Sequence, residues 1–495
     1  MLRFMITAAQ SNSGKTAVTC GLLSLLRRKG YDPCGFKCGP DYIDPMFHRS
    51  VLGISSDNLD VFLAGEDGVR SVFVRGCEGH DAAVIEGVMG YYDGMTASGT
   101  KASAWHVASL LEVPSILVVR PKGAALTLAA LIRGIDQFRQ PSRICGCIFN
   151  DCSEMFYQTY APAIEAESGI PVLGYLPHME EAGFESRHLG LMTAGEIEDL
   201  SERIDRIGAR MEETIDWDKL VAAAGESAPK TDGQAKAGQA ADPDEAETAE
   251  SPETVEASMR AESPEPGAPE LAEAPVRIAV ARDAAFNFIY AASIRALEEA
   301  GAEIVYFSPL KDARLPENIS GLYLPGGYPE LYGRQLAENE SMKASIRSAV
   351  HSKLPVIAEC GGFLYLGEEL ADNDGTFWPM CGALPGKAEG KGRLVRFGYG
   401  RIGCGEESML FRPGEQVPVH EFHYWDTTEQ GKDLTLTKNS NGKQWEFGYA
   451  TESLYAGFPH LYLAGHADGC DGGETLAERF AAAAREYRNK AGAER

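Results

Sequence analysis

Met5-Ile6-Thr7-Ala8-Ala9-Gln10-Ser11-Asn12-Ser13-Gly14-Lys15-Thr16-Ala17-Val18 passes from an apolar run, through a short polar loop, into an amphipathic pattern. Read as strand, loop and helix, this stretch decides the fold. Backbone N–H groups of such a loop and of the helix start converge on anionic oxygens. Lys15 reaches the terminal phosphates, and the Thr16 hydroxyl is placed to ligate Mg²⁺. Ser11, Asn12, Ser13 and Gly14 complete the cradle, and ATP is the expected ligand. Working outward, short apolar runs alternate with helical patterns. Strands are expected at Arg3–Ile6, Pro33–Lys37, Ala82–Glu86, Ser115–Val119, Ile144–Asn150 and Val172–Leu176, with helices over Thr16–Lys29 and Gly123–Gln137. Alternation of this kind means β-α-β units and a mostly parallel sheet.

A magnesium–phosphate site also needs carboxylates, because Mg²⁺ prefers hard oxygen ligands. Ala82-Ala-Val-Ile-Glu86-Gly is an apolar strand ending in an acid, so Glu86 projects where ligands of open α/β sheets bind. Asp93 follows in the turn Tyr92-Asp93-Gly94. Lys37, Asp41 and Asp44 lie in Phe36-Lys-Cys-Gly-Pro-Asp-Tyr-Ile-Asp-Pro45, beyond another strand. Thr16, Asp41 and Glu86 are the expected metal ligands. Lys37 and Asn150 are further nucleotide-binding candidates.

The C-terminal part repeats the logic. Strands are expected at Val276–Ala281, Glu303–Phe307, Gly321–Leu324 and Val356–Glu359, helices at Phe288–Ala300 and Ser341–Ser352, and antiparallel additions at Leu434–Lys438 and Gln444–Tyr449. Here Leu354-Pro-Val-Ile-Ala-Glu-Cys360-Gly-Gly-Phe reads as a strand breaking at a cysteine and restarting as a helix. Such an elbow exposes a nucleophile and offers N–H groups to an oxyanion. The helix start also favours thiolate. Gly361, and Gly327 in the turn Pro325-Gly-Gly-Tyr-Pro-Glu330, are the expected oxyanion donors. The thiol needs a base, and His460, His466, His420 and His423 are the candidates. Glu452 and Glu421 are candidates for a third, acidic member.

The net charge of −26 disfavours nucleic acid as the main partner, since phosphate binding needs clustered Lys and Arg. Between Glu226 and Glu273 stand 13 acidic and three basic residues, so this segment alone carries about −10. With almost no aromatic or branched aliphatic residues it cannot bury enough surface to offset the entropy of ordering. It reads as a disordered acidic linker over 225–274, dividing a domain at 1–224 from one at 275–495. No stretch approaches the ~20 apolar residues that span a bilayer, and no signal peptide is recognisable. Eleven cysteines in a chain of 495 residues form neither a disulfide framework nor paired metal knuckles. A reducing cytoplasm follows.

The loop before Gly14-Lys15-Thr16, with Ala9 where the usual first Gly stands, resembles the dethiobiotin-synthetase-like branch of P-loop enzymes. The C-terminal part resembles class I glutamine amidotransferases, whose spacing favours His460 as base. Together the segments resemble the CobB/CobQ family of amidotransferases, its cobyrinate a,c-diamide synthases in particular. The resemblance rests on Ser-Asn-Ser-Gly-Lys-Thr (11–16), Phe-Lys-Cys-Gly-Pro-Asp-Tyr-Ile-Asp-Pro (36–45), Glu-Gly-Val-Met-Gly-Tyr-Tyr-Asp-Gly (86–94), Ser-Arg-His-Leu-Gly-Leu (186–191), Pro-Gly-Gly-Tyr-Pro-Glu (325–330), Ala-Glu-Cys-Gly-Gly (358–362) and His-Glu-Phe-His-Tyr (420–424). Three positions depart from the family's pattern: Asn12 for Gly, Arg120 for Asp, and Tyr462 for a second histidine.

The resemblance implies a ligase with two centres. Cys360 would attack the side-chain amide of glutamine, with His460 protonating the ammonia that leaves. ATP would phosphorylate a corrinoid carboxylate and ammonia displace the phosphate, at the a and c positions in turn. Lys15 and Thr16 would hold phosphate, with Asp44 and Asp93 orienting the acyl phosphate or ammonia. The implied partners are cobyrinate, L-glutamine and ATP, with a homodimer as a further candidate assembly. Two other readings stand beside this: the same chemistry on hydrogenobyrinate or nickel-sirohydrochlorin, and a non-catalytic ATP-binding scaffold.

Overall fold

The computed structural model describes residues 1–96, 98–182, 194–225, 275–468 and 473–493. The 186–191 stretch and the acidic segment from 226 to 274 lie outside them. Each expected N-terminal strand forms within a residue or two of its expected bounds: β1 (Leu2–Ala8), β2 (Pro33–Cys38), then β4 (Ala82–Glu86), β5 (Ser115–Val119), β6 (Ile144–Asn150) and β7 (Val172–Leu176), with one addition, β3 (Ser56–Leu59). They make one seven-stranded sheet in the order β3-β2-β4-β1-β5-β6-β7, parallel throughout. Both faces are covered by helices, which is why β1, β2, β4 and β5 are buried at every position. Helix α1 (Lys15–Arg28) is buried along most of its length because it lies between the sheet and the helix Ala194–Thr214, whose Ile204, Ile207 and Met211 join its core.

Strand β3 is the addition that sequence pattern did not show. Ser56-Asp-Asn-Leu59 reads as turn chemistry, yet all four residues are buried. Their polar groups are used. Asn58 Nδ2 donates to Gly39 O (2.9 Å) and Asp41 O (2.6 Å), clasping the loop that follows β2. Asp57 pairs with Arg295 (2.9 Å).

The C-terminal part builds a second sheet from Ala302–Phe307, Val276–Ala281, Gly321–Leu324, Val356–Glu359, Leu454–Gly457 and Tyr449–Ala450, in that order. All its pairings are parallel except the last. A five-stranded antiparallel sheet includes the ribbon Arg396–Cys404 with Val417–His423, and ends on the short strand His460–Leu461. The helix expected over Phe288–Ala300 starts late. Phe286–Phe288 is extended and pairs with Gly326–Gly327, and the helix runs Ala291–Glu299.

The two parts share a core. Tyr290, Ala292 and Tyr462 sit in the same buried apolar cluster as Phe36, Tyr42, Phe62 and Tyr91. Tyr399 hydroxyl donates to Asp60 Oδ2 (2.7 Å), and Tyr290 hydroxyl to Pro40 O (3.2 Å).

Candidate active site

The phosphate loop leaves β1 at Ala8 and closes at Gly14. Gly14 has φ +90°, and a Cβ there would stand 1.9 Å from Asn150 Nδ2, so only glycine fits. Asn150, at the end of β6, donates to Ser13 O (3.0 Å), and Ser13 Oγ to Gln10 O (2.9 Å). Ser11 and Asn12 lie on the exposed crest. Asn12 adopts φ +62°, a left-handed conformation that asparagine tolerates better than other non-glycine residues, so its departure from the family pattern costs little. Lys15 Nζ donates to Met89 O (2.6 Å). Burial, reinforced by the Lys37 ammonium, brings its pKa down to about 8.

Beside the loop, Thr16 Oγ1 donates to Glu86 Oε1 (2.7 Å). Lys37 Nζ donates to the same oxygen (2.9 Å) and pairs with Asp44. All but Thr16 are buried. Burial raises the Glu86 carboxyl to about 7, against the pull of Lys37. Burial acts likewise on Asp44, but the adjacent Lys37 outweighs it and holds that carboxyl below its ordinary range. Asp41 caps Ile43 N–H (2.8 Å), and burial next to Asp44 lifts it to about 6. Asp93 sits on the exposed rim, accepting Gly90 N–H (2.9 Å). Glu86 Oε2 is buried with no hydrogen-bond partner, and His48 Nε2, 4.0 Å away, is likewise unpartnered. A hydroxyl, a spare carboxylate oxygen and two further acids suit a hard divalent cation. Among the described residues no three acids, histidines or cysteines converge closely enough to hold a metal by themselves, so such an ion would share its shell with phosphate oxygens and water. Arg120, outside this cluster, is spent on Asp151 (2.8 Å).

In the C-terminal part, Val356–Glu359 ends at Cys360, which takes φ +45° and ψ −104° before the helix Gly361–Leu366. A non-glycine residue in that region is held by its surroundings, here by Cys360 N–H to Gly457 O (2.8 Å) and by Leu364 N–H to Cys360 O (3.0 Å). A Cβ on Gly361 would lie 3.0 Å from Gly327 N, so the two expected oxyanion residues adjoin. The thiol departs from expectation in one respect. Burial, with the Glu330 carboxyl nearby, pushes its pKa up, so the helix start does not yield a resting thiolate.

His460 is buried above Gly326, where a Cβ would stand 2.4 Å from its Cε1. Its Nδ1 faces Glu359 Oε2 at 3.6 Å. Glu359 in turn accepts Leu461 N–H (2.9 Å) and the Tyr323 hydroxyl (3.0 Å). The acid beside the base is therefore the residue preceding the cysteine. Glu421 instead holds His423 Nε2 (3.0 Å), and Glu452 is exposed and paired with Lys353 (2.6 Å). His423 is stacked on Phe458 (3.9 Å), His466 is exposed, and His420 is buried with its pKa down to about 3. No sequence pattern marks Glu359 as this acid, because it adjoins the thiol and stands about a hundred residues before the histidine it faces.

The two clusters meet on the loop after β2. Asp41 and Asp44 flank Tyr42, whose ring stacks on Tyr290 (4.3 Å) and Phe288 (5.2 Å) and lies 5.2 Å from the His460 ring. Tyr462 packs edge-on against Tyr290 (5.4 Å), filling this seam.

Comparison with known proteins gives a consistent result. A family model described as the CobQ/CobB/MinD/ParA nucleotide binding domain matches residues 4–189, and one described as the CobB/CobQ-like glutamine amidotransferase domain matches 277–468. A cobyrinate a,c-diamide synthase of Caldanaerobacter subterraneus subsp. tengcongensis is 36% identical over 469 residues, 94% of this chain and 96% of its own. One of Clostridium tetani is 37% identical over 471 residues, 94% of this chain and 98% of its own.

Proposed function

The chain belongs to the cobyrinate a,c-diamide synthases of the CobB/CobQ family, and from that membership we propose how its two centres divide the work. It is an ATP-dependent carbon–nitrogen ligase that amidates the a and c carboxylates of cobyrinate with glutamine nitrogen, a step of cobalamin synthesis. We assign the synthetase to residues 1–224, the amidotransferase to 275–495 and a linker to 225–274.

Carboxylate is a poor electrophile, and free ammonia is mostly ammonium at pH 7. Phosphorylation overcomes the first difficulty and sheltered transfer the second. His460, oriented by Glu359, takes the thiol proton from Cys360, which the raised thiol pKa makes necessary. The sulfur attacks the glutamine amide, and N–H groups of Gly327 and Gly361 face the oxyanion. His460 returns the proton to the departing ammonia, and water then releases glutamate from the thioester. At the other centre the substrate carboxylate attacks the γ-phosphorus of ATP, forming an acyl phosphate and ADP. Ammonia adds to its carbonyl, phosphate leaves, and the amide remains. Ser11, Asn12, Ser13, Gly14, Lys15 and Thr16 cradle the phosphates, and Asn150 braces the loop. Lys37, between Glu86 and Asp44, balances the buried acids. Asp44 and Asp93 orient the acyl phosphate or ammonia. Magnesium, held through Thr16, Asp41 and Glu86, would neutralise charge on the terminal phosphates. A cytoplasmic setting suits the ten cysteines among the described residues, all of them free thiols.

The observation that supports this division is Tyr42, whose ring lies 5.2 Å from that of His460 and which stands between Asp41 and Asp44 in the chain. The test is mass spectrometry of cobyrinate incubated with the protein, MgATP and glutamine. Two successive decreases of about one dalton, OH to NH₂, are expected. Unchanged cobyrinate alongside amidated hydrogenobyrinate would move the assignment to that macrocycle.

A further inference from the structure

His420-Glu-Phe-His-Tyr424 is a motif the reaction does not use, and its side chains alternate the wrong way round for a solvated strand. Glu421 and His423 are buried, while Phe422 and Tyr424 are 44% and 45% exposed. A sheet face open to water normally shows the reverse. Opposite Phe422, across the antiparallel register, stands Phe397, 56% exposed. The rings touch in series: Phe397 with Phe422 at 5.5 Å, Phe422 with Tyr424 at 5.6 Å, and Phe397 with His420 at 5.7 Å.

This row continues inward on the same face. Tyr399 lies opposite His420, and His420 opposite His460. The inner end is covered by the synthetase part, where Tyr399 packs on Phe62 (4.6 Å). It also reaches the carboxylate loop, since a Cβ on Gly39 would stand 3.9 Å from the Tyr399 hydroxyl, two residues before Asp41. At the outer end, Lys391 N–H donates to Tyr424 O (3.0 Å), which brings the exposed backbone that leads to Arg393 beside the last ring, while Lys391 Nζ pairs with Glu389 (2.8 Å).

We propose that this aromatic row is the binding platform for the corrinoid macrocycle. The inference rests on the amidation reading above and adds where the ring lies. A corrinoid is a broad apolar disc rimmed by carboxylates. Its face matches a row of exposed rings, and its rim carboxylates suit the exposed Arg393, two residues beyond Lys391. Laid on the exposed outer rings, the disc would direct its rim along the row toward Gly39, where the segment that carries Asp41 and Asp44 begins.

The experiment uses full-length protein carrying Phe397→Ala, Phe422→Ala, both together, and Arg393→Glu, none of which opens the core. Steady-state kinetics are measured with each substrate varied in turn. Dialysis equilibrium of cobyrinate, read by its visible absorbance, gives binding directly. The double variant is expected to raise the cobyrinate KM about tenfold or more, and Arg393→Glu to raise it severalfold in a salt-dependent way. The KM values for ATP and glutamine, the rate of glutamine hydrolysis and the sedimentation mass stay at wild-type values. A cobyrinate KM within twofold of wild type in the double variant overturns the platform. So does a change in sedimentation mass, which would give this face to a second copy of the chain, or a rise in the glutamine KM instead. Wild-type protein that never amidates cobyrinate would overturn the reaction reading, and the platform with it.

Discussion

Glu359 and Cys360 are neighbours in the chain with separate tasks. The strand's alternation turns Glu359 inward, where one carboxylate oxygen accepts Leu461 N–H and the other faces His460 Nδ1. The acid thus anchors the backbone beside His460 and sets a negative charge 3.6 Å from its buried Nδ1, which has no hydrogen-bond partner. Glu359→Gln keeps the shape and removes the charge that steadies an imidazolium. Glutamine hydrolysis should fall on the order of 10²-fold with little change in glutamine KM, while synthesis from added ammonia persists. A glutamine-dependent rate within twofold of wild type would deny Glu359 that part. Cys360→Ala should separate the same two activities completely, because the synthetase acids stand on another sheet. Ammonia-dependent synthesis lost in a folded Cys360→Ala protein would contradict that separation.

At the scale of elements, β3 and the ribbon Arg396–Cys404/Val417–His423 hold polar groups in apolar surroundings. The ribbon's His420 has its pKa brought down to about 3, chiefly by burial and also by the neighbouring imidazole of His460. The folded state refuses a proton that the unfolded chain accepts below about pH 6.5. This contribution to stability is therefore fully present above about pH 6.5 and declines as pH falls toward 3. By pH 4.5 the loss is on the order of 2–3 kcal/mol. His420→Phe keeps a ring in the row and removes the titration. Its melting temperature should fall less than that of wild type between pH 7 and pH 4.5. Parallel pH curves for the two proteins would show that His420 titrates normally in the fold. In β3, Asn58 uses its amide to clasp the Gly39–Asp41 backbone, which explains how so polar a strand earns an edge position in a buried sheet.

For the whole molecule, the two sheets are joined by packing as well as by the chain between them. Tyr42 stacks on Tyr290 across the seam, Tyr462 packs edge-on behind it, and Arg295 with Asp57 and Tyr399 with Asp60 fasten its edge. The buried aromatic rings supply apolar contact across the seam that does not depend on the connecting segment. A protease site introduced between 230 and 270 should therefore give two fragments that still migrate together in size-exclusion chromatography and still use glutamine for synthesis. Fragments that separate on cleavage would show that the covalent link holds the halves together. The amino-acid sequence alone determined the two α/β halves, the phosphate loop and the cysteine elbow, because strand period, helix period and glycine turns are set by neighbours within a few residues. It also carried Glu86 at the carboxyl end of an apolar strand, where ligands of open α/β sheets bind, and Asp41 and Asp44 just beyond another strand. Only the tertiary structure decided that Glu359 attends His460, that Asn58 clasps the carboxylate loop and that Tyr42 stands between the two centres. Those partnerships join residues up to hundreds of positions apart, and they are selected by the cost of leaving a buried polar group or ring without a partner, which no local pattern records.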